Sequence, residues 1–200
     1  MDNNARVAAA ALARLASPAA VHDVAWGDVR LRVSAILDDK VGLGEGLPLE
    51  ALGSVRVVVT AAMADGVGVL VVHDGSDDNV SVLPGGRVEP GETTVETATR
   101  ELHEETGWTL DPESLRAVGV LHLRRLDDGG PTPGFPYPDN LMLVLTGTGV
   151  PPATDRWRDP EGQVHYSELL RADLALRAVG ADPVETAFAR AVLAGHASAT

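Results

Sequence analysis

The sequence contains no cysteine. That absence excludes disulfides, thiolate-bound zinc, iron–sulfur clusters and a cysteine nucleophile together. Lysine is nearly missing too: Lys40 stands alone, so Schiff-base chemistry has a single candidate. Positive charge is scarce in general. There are 16 Lys+Arg against 29 Asp+Glu, a formal net charge of −13 at pH 7. Such a chain repels phosphate backbones, so neither long nucleic acid nor an anionic membrane is an expected partner. A phosphorylated substrate would need a cation other than side chains, and a divalent metal is the obvious source. No run approaches the ~20 apolar residues of a transmembrane helix. Residues 5–20 are alanine-rich, but the run is interrupted by Arg14 and has no basic cluster before it. It reads as an amphipathic helix and not as an export signal. Without cysteine or an export signal, the cytoplasm is the expected compartment.

What is present suits one domain. The chain has 200 residues, 44% of them apolar, enough for a sizeable core. A helix is expected over residues 4–16, stopped by Pro18. Residues 29–37 alternate apolar and polar, with Val29, Leu31, Val33, Ala35 and Leu37 on one face, as in a half-buried strand. Residues 38–54, rich in glycine, read as a connector. Residues 55–63 and 67–73 are expected strands joined by the turn Ala64, Asp65 and Gly66. A short strand at 80–83 should stop at Pro84, Gly85 and Gly86. A helix over 94–105 follows, then strands at 115–126 and 141–146 separated by a loop with Pro131, Pro133, Pro136 and Pro138. Residues 167–172 and 183–193 are expected helices. Interleaved elements with an early hairpin predict a mixed α/β sheet packed between helices.

One stretch carries chemistry: residues 85–108, GGRVEPGETTVETATRELHEETGW. Thr93 and Glu96 fit a capping box at a helix start, and Gly107 sits where a helix ends in a left-handed residue. Val95, Ala98 and Leu102 share the face that should meet the sheet. Glu101, Glu104 and Glu105 form a second stripe on adjoining turns. Like charges at this spacing cost roughly 0.2–0.5 kcal/mol per pair in an isolated helix. Three glutamates on a helix are ordinarily a solvated face. Here no lysine interrupts them, and only Arg100 is near. Clustered hard oxygen donors of this kind suit Mg²⁺.

The whole string matches the pattern G-x5-E-x7-R-E-U-x-E-E-x-G-U. Gly86 is followed by Glu92, then by Arg100, Glu101, Leu102, His103, Glu104, Glu105, Thr106 and Gly107. Trp108 fills the last apolar place, which more often holds an aliphatic residue. By these residues the segment resembles the Nudix family. The resemblance is tightest over 84–108 and looser over about 55–172; residues 1–50 lie outside it.

That resemblance implies a Nudix-type α/β/α sandwich over residues 51–200, preceded by an extension over 1–50 that covers a sheet edge or builds a dimer contact. It implies a hydrolase of nucleoside diphosphates linked to another moiety, X, that uses Mg²⁺, with Mn²⁺ as a substitute. Glu101 and Glu105 would be the principal metal ligands, with Glu104 and the Gly85 carbonyl completing the set. Arg100 would orient a neighbouring glutamate, and Glu92 would brace the loop, paired with Arg100. The general base would be a box glutamate or a later acid: Glu161 first, then Asp159, with Asp155 and Glu168 also placed late enough.

Outside the box, Arg56 in an expected central strand suits either substrate phosphate or a buried ion pair. Arg87, after the glycine pair, is within reach of phosphate. His103 reads as solvated and His122 as packed or hydrogen-bonded. Phe135 and Tyr137 are candidates for stacking on a base or ribose, although packing within the loop is the favoured reading of both. The expected substrate is a small phosphorylated nucleotide and the expected assembly a homodimer. Two alternatives stand beside this reading: a house-cleaning nucleoside triphosphate pyrophosphohydrolase, and a non-catalytic Nudix-like nucleotide-binding regulator. Such regulators usually lose box glutamates and carry a DNA-binding domain. RNA decapping is disfavoured by the −13 charge.

Overall fold

The computed structural model describes residues 3–74, 79–130, 135–153, 157–160, 162 and 164–197. The elements, in chain order, are α1 (Asn3–Leu12), β1 (Ala20–Trp26), β2 (Val29–Leu37), β3 (Leu52–Met63), β4 (Gly66–Asp74), β5 (Val80–Ser81) and β6 (Gly85–Arg87). They continue with α2 (Thr94–Thr106), β7 (Thr109–Leu110), β8 (Arg116–Arg125), β9 (Asp139–Val150), β10 (Val164–Arg171), α3 (Ala172–Ala178) and α4 (Pro183–Ala197).

The strands form a mixed sheet in the order β1-β2-β8-β9-β3-β4-β10. β3 and β9 run parallel and the other pairs antiparallel. β3 carries Val55, Val57 and Val59 toward one layer and Val58 toward the other. A strand apolar on both faces is what burial between two helical layers requires. On one side lie Ala8 and Ala11 of α1 with Ala98 and Leu102 of α2. On the other lie Ala175 of α3 with Val184, Phe188, Ala189 and Val192 of α4. The molecule is thus an α/β/α sandwich. Truncating fully buried Leu102 to alanine would cost about 2–5 kcal/mol.

The first 50 residues join this fold. β2 pairs with β8 from Leu31↔Arg125 to Leu37↔Gly119, and β1 forms the outer edge beyond it. Thr94 donates its hydroxyl hydrogen to the Leu43 carbonyl, tying the connector to the start of α2. Between Lys40 and Leu52, Val41, Leu47 and Ala51 sink into the α2-side core.

Several expected elements differ. Residues 167–172 are not a helix: most of them lie in β10, which pairs with β4 from Tyr166↔His73 to Arg171↔Gly68. Ser167 and Leu169 face α2 while Glu168 turns to His73 on the other side, an alternation of period two that a short apolar pair had masked. β1 was not expected, although its buried and exposed positions alternate. The first helix ends at Leu12, well short of Pro18. The stop at Pro84 is followed at once by β6, because Gly85 and Gly86 pair with Arg56 and Val55. The strand expected at 141–146 extends over Asp139–Val150.

Candidate active site

α2 forms where the box sequence requires. The Thr93 hydroxyl accepts from Glu96 N at 3.2 Å, and the Glu96 carboxylate accepts from Thr93 N at 2.8 Å. At the other end Gly107 takes φ +72°, and its N–H donates to His103 O at 2.8 Å. Trp157 packs on Gly107 and donates its indole N–H to Glu104 O at 3.1 Å, closing one of the free carbonyls at the helix end. Trp108 is buried in the α2-side core, so the aromatic residue is accommodated there.

The glycine pair lets this helix approach the sheet. Gly85 has φ +137°, and a Cβ there would strike the Val55 carbonyl. A Cβ on Gly86 would occupy the space of the Glu101 carboxylate. Glu105 reaches the same turn, accepting from Gly85 N at 2.9 Å. Both carboxyls are pushed up by desolvation, Glu105 to about 7.

Arg100 ties the acids together. It makes a two-pronged pair with Glu92 at 2.7 and 2.9 Å, and one nitrogen donates to Glu101 at 2.9 Å and Glu104 at 3.0 Å. It also donates to Arg87 O at 3.0 Å, linking helix and loop. Glu92 further accepts from Glu89 N and the Thr97 hydroxyl. Its hydrogen bonds, those of Arg100 foremost, hold its carboxyl down to about 2.

Arg56 lies part-buried beside Gly85 and donates one long hydrogen bond, 3.5 Å, to Leu83 O. No carboxylate lies within ion-pair distance of it among the described residues. Burial lowers its pKa, opposed by the charges of Glu105, Glu101 and Glu185 in that order. Arg87 is exposed, its guanidinium 5.3 Å from the centre of the Phe135 ring. His103 is exposed against Trp157, and His122 pairs with buried Asp139 at 2.7 Å. Glu161 and Asp155 lie outside the described residues, as do Pro131 and Pro133.

Beyond Glu105 opens a cleft of about 270 Å³, lined in part by Trp108, Trp157, Asp159 and Ser167. Asp159 accepts from Val164 N at 2.8 Å and helps to raise the Glu105 pKa. Glu168 also borders the cleft, but its carboxylate holds His73 at 3.0 Å. Sequence reasoning missed Trp157, whose role depends on the fold bringing it back to Gly107, and Glu185, considered below.

Among the described residues, no three acidic or imidazole side chains converge closely enough to hold a metal ion as they stand. The donor set nevertheless suits one. Its groups are hard oxygens, two of them desolvated carboxyls whose ionisation a cation would favour, and Gly86 leaves room for one of them.

The NUDIX domain family model matches residues 54–183. The chain belongs to the Nudix hydrolase family. It is 43% identical over 68 residues to Nudix hydrolase 3 of Caenorhabditis elegans, covering 33% of this chain and 28% of that protein. It is 56% identical over 36 residues to the human 8-oxo-dGDP phosphatase NUDT18, covering 18% and 11%. The chain therefore matches less than a third of the length of either relative. A Nudix hydrolase structure from Nitrosomonas europaea superposes with a TM-score of 0.52 at 23% identity, over 72% of this chain and 90% of that one. A C. elegans Ap4A hydrolase complex gives 0.50 at 15%, over 72% and 97%. Both structures share the fold of this chain.

Proposed function

We propose that the protein hydrolyses a phosphoanhydride bond in a nucleoside diphosphate linked to X, with a bound divalent metal, Mg²⁺ or Mn²⁺. One observation carries this reading. Glu101 and Glu105 are lowered, desolvated, onto the Gly85–Gly86 turn, beside an Arg56 that makes no ion pair among the described residues.

Glu101, Glu104, Glu105 and the Gly85 carbonyl would hold the metal. When bound, it would offset phosphate charge and make a water molecule more acidic. Arg100 keeps Glu101 and Glu104 aimed, while Glu92 takes up the opposite edge of its guanidinium. Arg56 supplies unspent donors for a phosphate oxygen. Arg87 stands over Phe135 at the mouth of the Gly86 turn, where it would meet a more distal group. Asp159 shares the cleft with Glu105 and is placed to take the proton of the attacking water. Water then bonds to one phosphorus of the anhydride, the bridging oxygen leaves on the other phosphate, and a nucleoside monophosphate and phosphorylated X are released.

The cleft favours X groups that are not themselves anionic. Its rim holds Glu105 and Asp159, which repel a polyphosphate tail, while Trp108, Trp157 and Ser167 suit a hydroxyl-rich or planar group. Two relatives, named for 8-oxo-dGDP and Ap4A, put both nucleotides on the test panel. The test is incubation with Mg²⁺ and nucleoside diphosphate sugars, dinucleotides including Ap4A, 8-oxo-dGDP and triphosphates, with products resolved by chromatography. Monophosphate release from diphosphate-linked compounds, abolished by EDTA, is expected. Turnover that survives thorough chelation would overturn the reading.

A further inference from the structure

Between β5 and β6 the chain crosses a gap in the sheet. β5 pairs with β4 and β6 with β3, so Val82, Leu83 and Pro84 bridge two diverging strands outside any regular ladder. This bridge leads directly into Gly85. Something other than strand pairing has to fix it.

Glu185, in the first turn of α4, reaches down onto the bridge. Its carboxylate accepts from the Ser81 hydroxyl at 2.6 Å and from Val82 N at 2.7 Å. Ser81 Oγ in turn accepts from Leu83 N at 3.0 Å. Leu83 O is the acceptor of Arg56, Pro84 O accepts from Val57 N at 3.0 Å, and Gly85 N meets Glu105. One carboxylate thus stands at the head of a path of hydrogen bonds and main chain that runs through Ser81 and Leu83 to Arg56 and the Gly85 turn. Glu185 is itself fixed from behind, because Asp182 accepts from the N–H groups of Val184 and Glu185 at 2.7 and 3.0 Å. An acid in the first turn of a helix is ordinarily favourable through the helix dipole alone, with its carboxylate in water. Here it is directed inward onto the sheet, at Ser81 and Val82.

We propose that Glu185 is a positioning residue for the phosphoanhydride site, acting through Ser81 and Val82 on the segment that presents the Gly85 carbonyl and seats Arg56. This rests on the functional reading above. Glu185 touches neither substrate nor metal; it sets where two groups that do so stand. The feature that matters is the hydrogen-bonded clamp, so glutamine, which retains an acceptor for Val82 N and a donor for Ser81 Oγ, should substitute well.

The test uses the full-length chain and the variants Glu185→Ala, Glu185→Gln, Ser81→Ala and the Glu185→Ala/Ser81→Ala pair. Mn²⁺ affinity is read without substrate from the resonance signal of free Mn²⁺, and kcat and KM from the best substrate of the panel. Glu185→Ala is expected to weaken Mn²⁺ binding and lower kcat by about tenfold each, the low end for residues that orient ligands. Ser81→Ala should give a smaller loss in the same direction. The pair should be no worse than Glu185→Ala, because both act on one segment. Glu185→Gln should stay near the parent. If Glu185→Ala does not fold, Ser81→Ala decides alone. Unchanged Mn²⁺ affinity in the folded variants, whatever their melting temperature, would overturn the proposal and leave Glu185 a structural residue. A parent that binds Mn²⁺ but turns over no nucleotide would overturn the functional reading instead, with the effect on Mn²⁺ still deciding the positioning role.

Discussion

Glu105→Gln separates a metal-holding carboxylate from an ordinary surface one. In the structure Glu105 is part-buried, and desolvation lifts its carboxyl from 4.5 to about 7, against the pull of Gly85 N–H and Arg56. A carboxyl with a higher pKa when folded binds its proton more tightly in the folded state. Its contribution to stability is therefore full below about 4.5 and is lost as pH rises through about 7. Ionised without a cation, it costs the folded protein at most about 3 kcal/mol. Glutamine removes that cost and keeps an acceptor for Gly85 N, whose pull is already contained in the shift. The net gain in EDTA at pH 8 is then up to about 3 kcal/mol, or roughly 6–12 °C in Tm for a chain of this size. At pH 5 the parent's Glu105 is largely protonated when folded, and the two proteins should melt nearly together. With Mg²⁺ at ~100 times its Kd, the parent should gain ~2.7 kcal/mol and the variant much less. Paired thermal melts at the two pH values, each with EDTA and with Mg²⁺, measure all four quantities. Equal Mg²⁺ shifts in parent and variant, or a variant no more stable than the parent at pH 8, would refute the reasoning.

Arg100→Ala should lower kcat by about 10–100-fold with little change in KM, and Arg100→Lys should rescue only partly, since an ammonium cannot make the two-pronged pair with Glu92. Steady-state kinetics of both variants checks this, and a pure KM effect would place Arg100 on the substrate. Arg56→Ala should instead raise KM, and inhibition by inorganic pyrophosphate should weaken in parallel; unchanged pyrophosphate affinity would remove Arg56 from phosphate binding. Gly86→Ala should fold, with the parent's far-ultraviolet dichroism, yet lose most activity, because its methyl group would displace the Glu101 carboxylate.

The box was legible because its residues interact within one turn-and-helix unit. The capping box, the left-handed Gly107 and the Glu stripe follow from spacing alone, and the pairing of Arg100 with Glu92 spans only eight residues. The positions of the central strands were readable for a similar reason: their apolar runs are long and bounded by turns. What stayed hidden depends on distant partners. β10 became a strand by pairing with β4, almost a hundred positions away in register. Trp157 acquires its role by meeting Gly107, and Glu185 by meeting Ser81, 104 residues earlier. In sequence Glu185 is one acid in an unremarkable first turn, and only the sandwich gives it a target. Among the acids of residues 155–168 the sequence favoured Glu161 and then Asp159; the fold puts Asp159 near Glu105 and turns the Glu168 carboxylate to His73, while Glu161 lies outside the described residues.

The central claim is that this chain directs water to a phosphorus atom of a nucleoside diphosphate linked to X. Hydrolysis in heavy-oxygen water, with Mg²⁺ and followed by mass spectrometry of the products, tests it most directly. The expected result is one labelled oxygen in a monophosphate product, lost in EDTA and in Glu105→Gln. Products carrying no label, or label incorporated at full rate without metal, would contradict it.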